Sequence, residues 1–223
     1  MSSATGALVI PASIEEAAES LGDASRAGAT VRLRGAGTKL GWGNPIAPAD
    51  VEVSSAALDR VVEHNVADFT AVVQAGAPLA ALQRVFSRAG QMLPLDPPLG
   101  PGGAATVGGA IATGDSGPLR HRHGGARDLL LGMTVVLSDG SVARSGGRVI
   151  KNVAGYDLAK LFAGSFGTLG LVAEIVVRLR PLPPRAETAV GCSDDPEALA
   201  RGAAALAATA LEPEALDVFW RAG

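Results

Sequence analysis

The chain is short of cysteine, lysine and aromatic residues, and each shortage excludes something. One cysteine, Cys192, in 223 residues rules out an intramolecular disulfide. It also leaves no ligand set for an iron–sulfur cluster or a structural zinc within this chain. The three lysines, Lys39, Lys151 and Lys160, are not clustered, and 19 basic against 22 acidic residues give a net charge of −3. A basic surface for nucleic acid is therefore not expected. No apolar run reaches the roughly 18 residues of a membrane span. The first eleven residues lack the basic region of a secretory signal. The expected location is the cytoplasm, with any contact with the inner membrane made peripherally, through partners. What is present is a hydrophobic fraction of 48 %, rich in alanine, with 29 glycines and 14 prolines in no fixed period. That composition predicts a folded core with many tight turns and excludes collagen and disorder.

Three stretches follow. Residues 1–56 read as a small α/β unit. Apolar residues at helical spacing (Ile14, Ala17, Ala18, Leu21) predict a helix over 14–26, opened by Ser13 and Glu16 as a capping box. Strands are predicted over 30–34 and 51–53. Residues 57–182 read as a larger unit with strands over 61–63, 70–74, 129–137, 142–145 and 171–179. Asp139-Gly140 is a hairpin signal. Helices are predicted over 79–89, 107–112 and 157–162, the last capped by Asp157. Strands that follow one another without helices argue against a doubly wound parallel sheet and for an α+β class. Residues 183–223, after the prolines near 181–184, carry a predicted helix over 196–208 between strands over 188–190 and 216–220. So small a piece reads as the start of an incomplete further domain.

Two glycine-rich loops draw notice. The first, Arg34-Gly35-Ala36-Gly37-Thr38-Lys39, follows a strand. Glycine permits positive φ and close backbone approach, so successive N–H groups can converge on one anion. It is neither a Walker loop nor the dinucleotide GxGxxG, since Leu40 stands at the third glycine site, and the residues alone leave an ordinary glycine turn open. The second runs over 101–117. Thr106 is a fair N-cap for a helix starting at Val107, and a helix N-terminus can hold a phosphate. Close packing between small residues is the alternative there.

Taken in order, RGAGTKLGWG, VVQAGAPLAALQ, LPLDPP, ATVGGAIATGDSG, GGARDLLLGMTVVLSDG and KNVAGYDLAKLFAGSFGTLGLVAEIVVRLRPLP resemble the FAD-binding domain of the vanillyl-alcohol-oxidase/p-cresol-methylhydroxylase type, over residues 9–183. Within it, 94–98, 151–158 and 164–170 are most similar to the glycolate-oxidase branch. The resemblance implies two α/β subdomains with FAD between them, followed by a partial C-terminal cap. Arg34, Gly35, Ala36, Gly37, Thr38 and Lys39 would wrap the diphosphate. Pro94, Asp96 and Pro97 would lie beside the flavin. Thr106, Gly108, Gly109, Thr113, Gly114, Ser116 and Gly117 would line the path to the ribityl chain. Tyr156 is a further candidate, with packing at a helix start as its alternative, and Ile175 would touch the adenine or ribose through its main chain. Gly124, Arg127 and Asp128 would support the site. Thr38 stands where some members attach flavin through histidine, so FAD is expected to be noncovalent.

The activity implied is flavin-mediated oxidation of a 2-hydroxy acid, or electron transfer, within a glycolate-oxidase-like complex with a second flavoprotein subunit and an iron–sulfur subunit. A self-contained FAD enzyme, a hydroxy-acid dehydrogenase or a relative of the cell-wall precursor reductase, is the alternative. A flavin-free scaffold is the third reading. No catalytic acid or base and no metal site is assigned. His121 and His123 suit an acidic ligand or a solvated loop.

Overall fold

The computed structural model describes residues 6–147, 157–211 and 213–220. Its first unit is a parallel sheet of β1 (Ala7–Val9), β2 (Val31–Arg34) and β3 (Val51–Ser54), in the order β1-β3-β2. Helix α1 (Ile14–Arg26) connects the first two strands. Ser13 Oγ accepts the Glu16 N–H at 3.1 Å, and the Glu16 carboxylate accepts the Ala12 N–H at 2.8 Å. The expected capping box therefore forms, reaching one residue further back. Ala17, Leu21 and Ala24 form the buried stripe of α1. Ala17 and Leu21 pack with Val53 and Leu58, and with Val136, Leu171 and Ala173 of the second unit. Burial of Leu21 alone contributes roughly 1.5–3 kcal/mol.

The second unit is an antiparallel sheet of β4 (Val61–Asn65), β5 (Thr70–Gln74), β7 (Leu130–Val136), β8 (Val142–Gly146) and β9 (Leu171–Arg178). Its order is β4-β5-β9-β7-β8. The last long strand thus sits in the middle, which suits its apolar run. Helices α2 (Leu79–Ser87) and α3 (Val107–Thr113) bury Leu79, Leu82, Phe86, Val107 and Ile111 in the main core over this sheet. Two short strands, β6 (Gln91–Met92) and β10 (Arg180–Pro181), pair with each other. Short helices α4 (Arg120–His123) and α5 (Ala159–Phe162) complete the unit. The class is α+β, as expected.

The hairpin at Asp139-Gly140 forms between β7 and β8. Gly140 has φ +86°, and a Cβ there would stand 2.6 Å from the Ala18 carbonyl oxygen. Only glycine lets this turn rest on α1. Helix α2 stops two residues short of expectation. Ala89 and Gly90 instead bond to Phe86 and Ser87 carbonyls, and Gly90 turns the chain at φ +66°. Asp157 does not cap α5. Leu158 holds that position, and the Asp157 carboxylate pairs with Lys160 at 2.8 Å. The strands expected over 188–190 and 216–220 do not form, because neither segment meets a sheet edge. Val190 and Phe219 lie in solvent. Between them α6 (Pro196–Ala207) is the only regular element among the described residues, capped by Asp195 with no buried residue.

Candidate FAD-binding site

Strand β2 ends at Arg34, and residues 35–39 leave the C-terminal edge of the parallel sheet. Gly37 has φ +77°, a backbone that L side chains resist. Among the described residues, no N–H group of 35–39 donates to a protein acceptor. Five successive N–H donors without partners, in a loop with a left-handed residue, are a donor set of the kind that backbone anion sites use. The Arg34 guanidinium borders it, since Arg34 Nη2 lies 2.6 Å from where a Gly37 Cβ would stand. Arg34 is oriented by Glu52, whose buried carboxylate lies 3.1 Å from Arg34 Nη1 and also binds Arg32. Arg32 and Glu52 are directly opposite in the β2–β3 register, with Arg34 two residues along. Strand periodicity therefore puts all three on one face.

The second loop meets the first at a point. A Cβ on Gly35 would stand 2.3 Å from Thr106 Oγ1. Thr106 caps α3 as expected, accepting the Gly109 N–H at 3.1 Å. The expectation that this helix start offers free donors is corrected. The Val107 N–H bonds to the Ala77 carbonyl at 3.0 Å and the Gly108 N–H to the Ala75 carbonyl at 2.8 Å. Gly108 serves that packing, because a Cβ on it would meet the Ala75 Cβ at 2.5 Å. Thr106, Gly108 and Gly109 thus shape the wall against which the first loop rests. At the other end of α3, Thr113 Oγ1 bonds back to the Gly109 carbonyl at 2.8 Å. Gly114 ends the helix in the left-handed conformation. Ser116 and Gly117 follow, their N–H groups without protein acceptors among the described residues.

The third loop closes the set. Pro94 and Pro97 are buried. The Asp96 carboxylate accepts the Leu119 N–H at 3.2 and 3.3 Å, and a Cβ on Gly117 would stand 2.2 Å from the Asp96 carbonyl oxygen. Gly100, at φ +68°, lets Thr38 approach. Lys39 Nζ bonds to the Pro98 carbonyl at 3.3 Å and pairs with Asp115 Oδ2 at 3.2 Å. The structure therefore brings together residues 34–39, 94–100, 106–109 and 114–117. Ile175 lies in β9 between Val73 and Met133, with its side chain in the main core. Tyr156 lies outside the described residues.

Reading the residues missed Asp115, Glu52 and α4. A lone acid in an anion-binding loop looks unfavourable until its partner is known. The pairing of Glu52 was foreshadowed by an acid in one short strand and two arginines at spacing two in another. His123 pairs with Glu214 at 2.7 Å, as does Arg122 at 3.2 Å, so α4 anchors the C-terminal segment.

These observations meet the comparisons with known proteins. Residues 5–146 match the model of the family described as "FAD binding domain". Glycolate oxidase subunit GlcE of Escherichia coli (strain K12) is 36 % identical over 151 residues, which are 68 % of this chain and 42 % of that protein. Glycolate oxidase subunit GlcD of Bacillus subtilis (strain 168) is 31 % identical over 211 residues, 95 % of this chain and 44 % of that protein. The chain thus spans less than half the length of either relative. Among solved structures, alkyldihydroxyacetonephosphate synthase superposes with a TM-score of 0.68 at 24 % identity, covering 80 % of this chain and 32 % of that one, a likeness of fold. The chain belongs to the FAD binding domain family, of the p-cresol-methylhydroxylase type that its motifs resemble.

Proposed function

We propose that this chain holds FAD noncovalently across the three loops and forms the flavin-binding part of an oxidoreductase for a small 2-hydroxy acid such as glycolate. The observation that carries it is the run of unpartnered N–H groups at 35–39, bordered by Arg34 and resting on Thr106. Those donors bind the diphosphate, and Arg34, steadied by Glu52, adds positive charge beside them. The free N–H groups of Ser116 and Gly117 and the segment of Pro94, Asp96 and Pro97 border the remainder of the ligand. When bound, FAD supplies the two-electron acceptor for oxidation of the hydroxyl-bearing carbon. In this reading the flavin-binding unit ends near residue 182.

Noncovalent attachment is supported by where the histidines lie. His64 bonds to Gln91 at 2.8 Å and packs edge-on against Phe86, while His123 is held by Glu214. None is in the first loop. The two glycolate oxidase relatives support assembly with a second flavoprotein subunit. One exposed cysteine supports placing an iron–sulfur relay on another chain. A visible spectrum tests the reading. The purified chain, incubated with FAD and desalted, keeps flavin absorbance, and acid precipitation releases it into the supernatant. A folded chain that takes up no FAD, alone or with its partner subunits, refutes the proposal, and a yellow pellet refutes noncovalent attachment. Anaerobic bleaching of the flavin by glycolate in the reconstituted complex tests the substrate class.

A further inference from the structure

We propose that Lys39 and Asp115 are positioning residues, a clasp that fixes the three loops relative to one another, and that the Lys39 ammonium is not a phosphate ligand. This rests on the flavin reading above. A lysine in an anion-binding loop ordinarily serves as a point charge for phosphate. Here its ammonium is already engaged. It lies 3.2 Å from Asp115 Oδ2 and 3.3 Å from the Pro98 carbonyl oxygen, and the Trp42 ring stands 5.6 Å away. The Lys39 and Asp115 side chains are only 8 % and 9 % exposed. These partners come from three different places: the loop after β2, the Pro94–Gly100 segment and the turn after α3. A single neutral pair therefore ties the first loop to the Pro94–Gly100 segment and to the turn after α3. Asp115 Oδ2 is buried and has no aligned hydrogen-bond donor among the described residues. Loss of Lys39 would thus strand a carboxylate away from water, a costly arrangement that the loops must relieve by moving apart.

The two roles give opposite signs at Asp115. If Lys39 served phosphate, Asp115→Asn would remove a competing negative charge, and FAD would bind as well or better. If the pair is a clasp, Asp115→Asn loosens the loops, and FAD must then re-order them on binding. The expected weakening is about tenfold, the scale of ordering a few side chains. Lys39→Met weakens binding to a similar degree, and Lys39→Met/Asp115→Asn weakens it no more than the worse single variant. Flavin-fluorescence titration of the 223-residue chain and the three variants reads this. Unchanged or tighter FAD binding by Asp115→Asn overturns the clasp, as does a double variant whose loss is the sum of the singles.

Hydrogen exchange of the flavin-free chain gives a second measurement. Each single variant should speed exchange at the bonded amides of both segments, Leu40 and Trp42 in the first and Leu95 and Gly103 in the other, and a change confined to one of the two segments overturns the proposal. This arm needs no flavin. If the parent chain takes up no FAD, the flavin reading fails while the clasp is still tested.

Discussion

Gly35→Ala tests the contact between the first two loops without reference to any ligand. Gly35 does not have a positive φ, so alanine suits its backbone, and in open space the change would stabilise by about 0.4–1 kcal/mol through the unfolded chain. The space is not open. The added Cβ would stand 2.3 Å from Thr106 Oγ1 and 3.4 Å from Thr106 Cβ and Cγ2. Only the hydroxyl oxygen is too close. Either the first loop lifts away, or Thr106 rotates and gives up its bond to the Gly109 N–H. Losing such a cap costs about 1 kcal/mol, and overpacking costs about 1–3 kcal/mol. Gly35→Ala should therefore destabilise by about 1–3 kcal/mol in urea unfolding. Thr106→Ala alone should cost about 1 kcal/mol, as a lost cap. In the Thr106→Ala background the obstructing oxygen is gone, and Gly35→Ala should be neutral or stabilising by up to about 1 kcal/mol. The two positions are thus coupled by about 1–4 kcal/mol, in or just above the range of about 0.5–3 kcal/mol for touching residues. An equal cost of Gly35→Ala in both backgrounds would mean that Thr106 does not support the first loop.

Gly37→Ala forces a Cβ onto a residue at φ +77° and within 2.6 Å of Arg34 Nη2. It should cost about 1–2 kcal/mol from backbone alone and weaken FAD binding, read by unfolding and titration on one sample. Glu52→Gln leaves two arginines without their shared buried counter-charge. Breaking such a set typically costs about 3–5 kcal/mol, visible as a lowered urea midpoint with an unchanged slope. Asp50 accepts hydrogen bonds from the Thr30 hydroxyl and N–H, which hold its carboxyl below the ordinary value. A depressed value in the folded state gives stability that is full above the unfolded value of about 3.9. It is lost as pH falls through the folded value. Asp50→Asn should flatten that part of the acid limb of the stability curve, and an unaltered limb would exclude the contribution.

Much of the fold was legible because its signals are local. The stripe Ile14, Ala17, Leu21 and the Ser13–Glu16 cap specify α1 within one segment. Thr70–Gln74 is a short run buried along its whole length, and the Asp139-Gly140 hairpin depends on one glycine. The site was half legible for the same reason. Gly35 and Gly37 announce a loop with unusual backbone, whereas the use of the Val107 and Gly108 N–H groups depends on carbonyls some thirty residues earlier. Asp115 was illegible because its meaning comes entirely from Lys39, far away in the chain. The strands expected over 188–190 and 216–220 show the reverse error. Their residues favour extended backbone, yet a strand needs a neighbour's edge, and local preference does not supply one.

The placement of the loops leads to a last expectation. The 34–39 loop belongs to the three-stranded sheet, and the other two loops belong to the unit of the five-stranded sheet. In the flavin-free chain the units share one small core, in which Ala17, Leu21 and Val53 meet Val136, Leu171 and Ala173. A ligand that touches both units adds its binding energy to that junction. At FAD one hundred times its dissociation constant, the added stability is about 2.7 kcal/mol. For a chain of this size that is roughly 5–11 °C in midpoint, at about 2–4 °C per kcal/mol. If FAD met the first loop alone, only the melting of the parallel sheet and α1 would rise. Because all three loops converge, exchange protection in β3 and in β9 should rise together on adding FAD. Protection gained in β3 with β9 unmoved would show that the ligand does not bridge the two units.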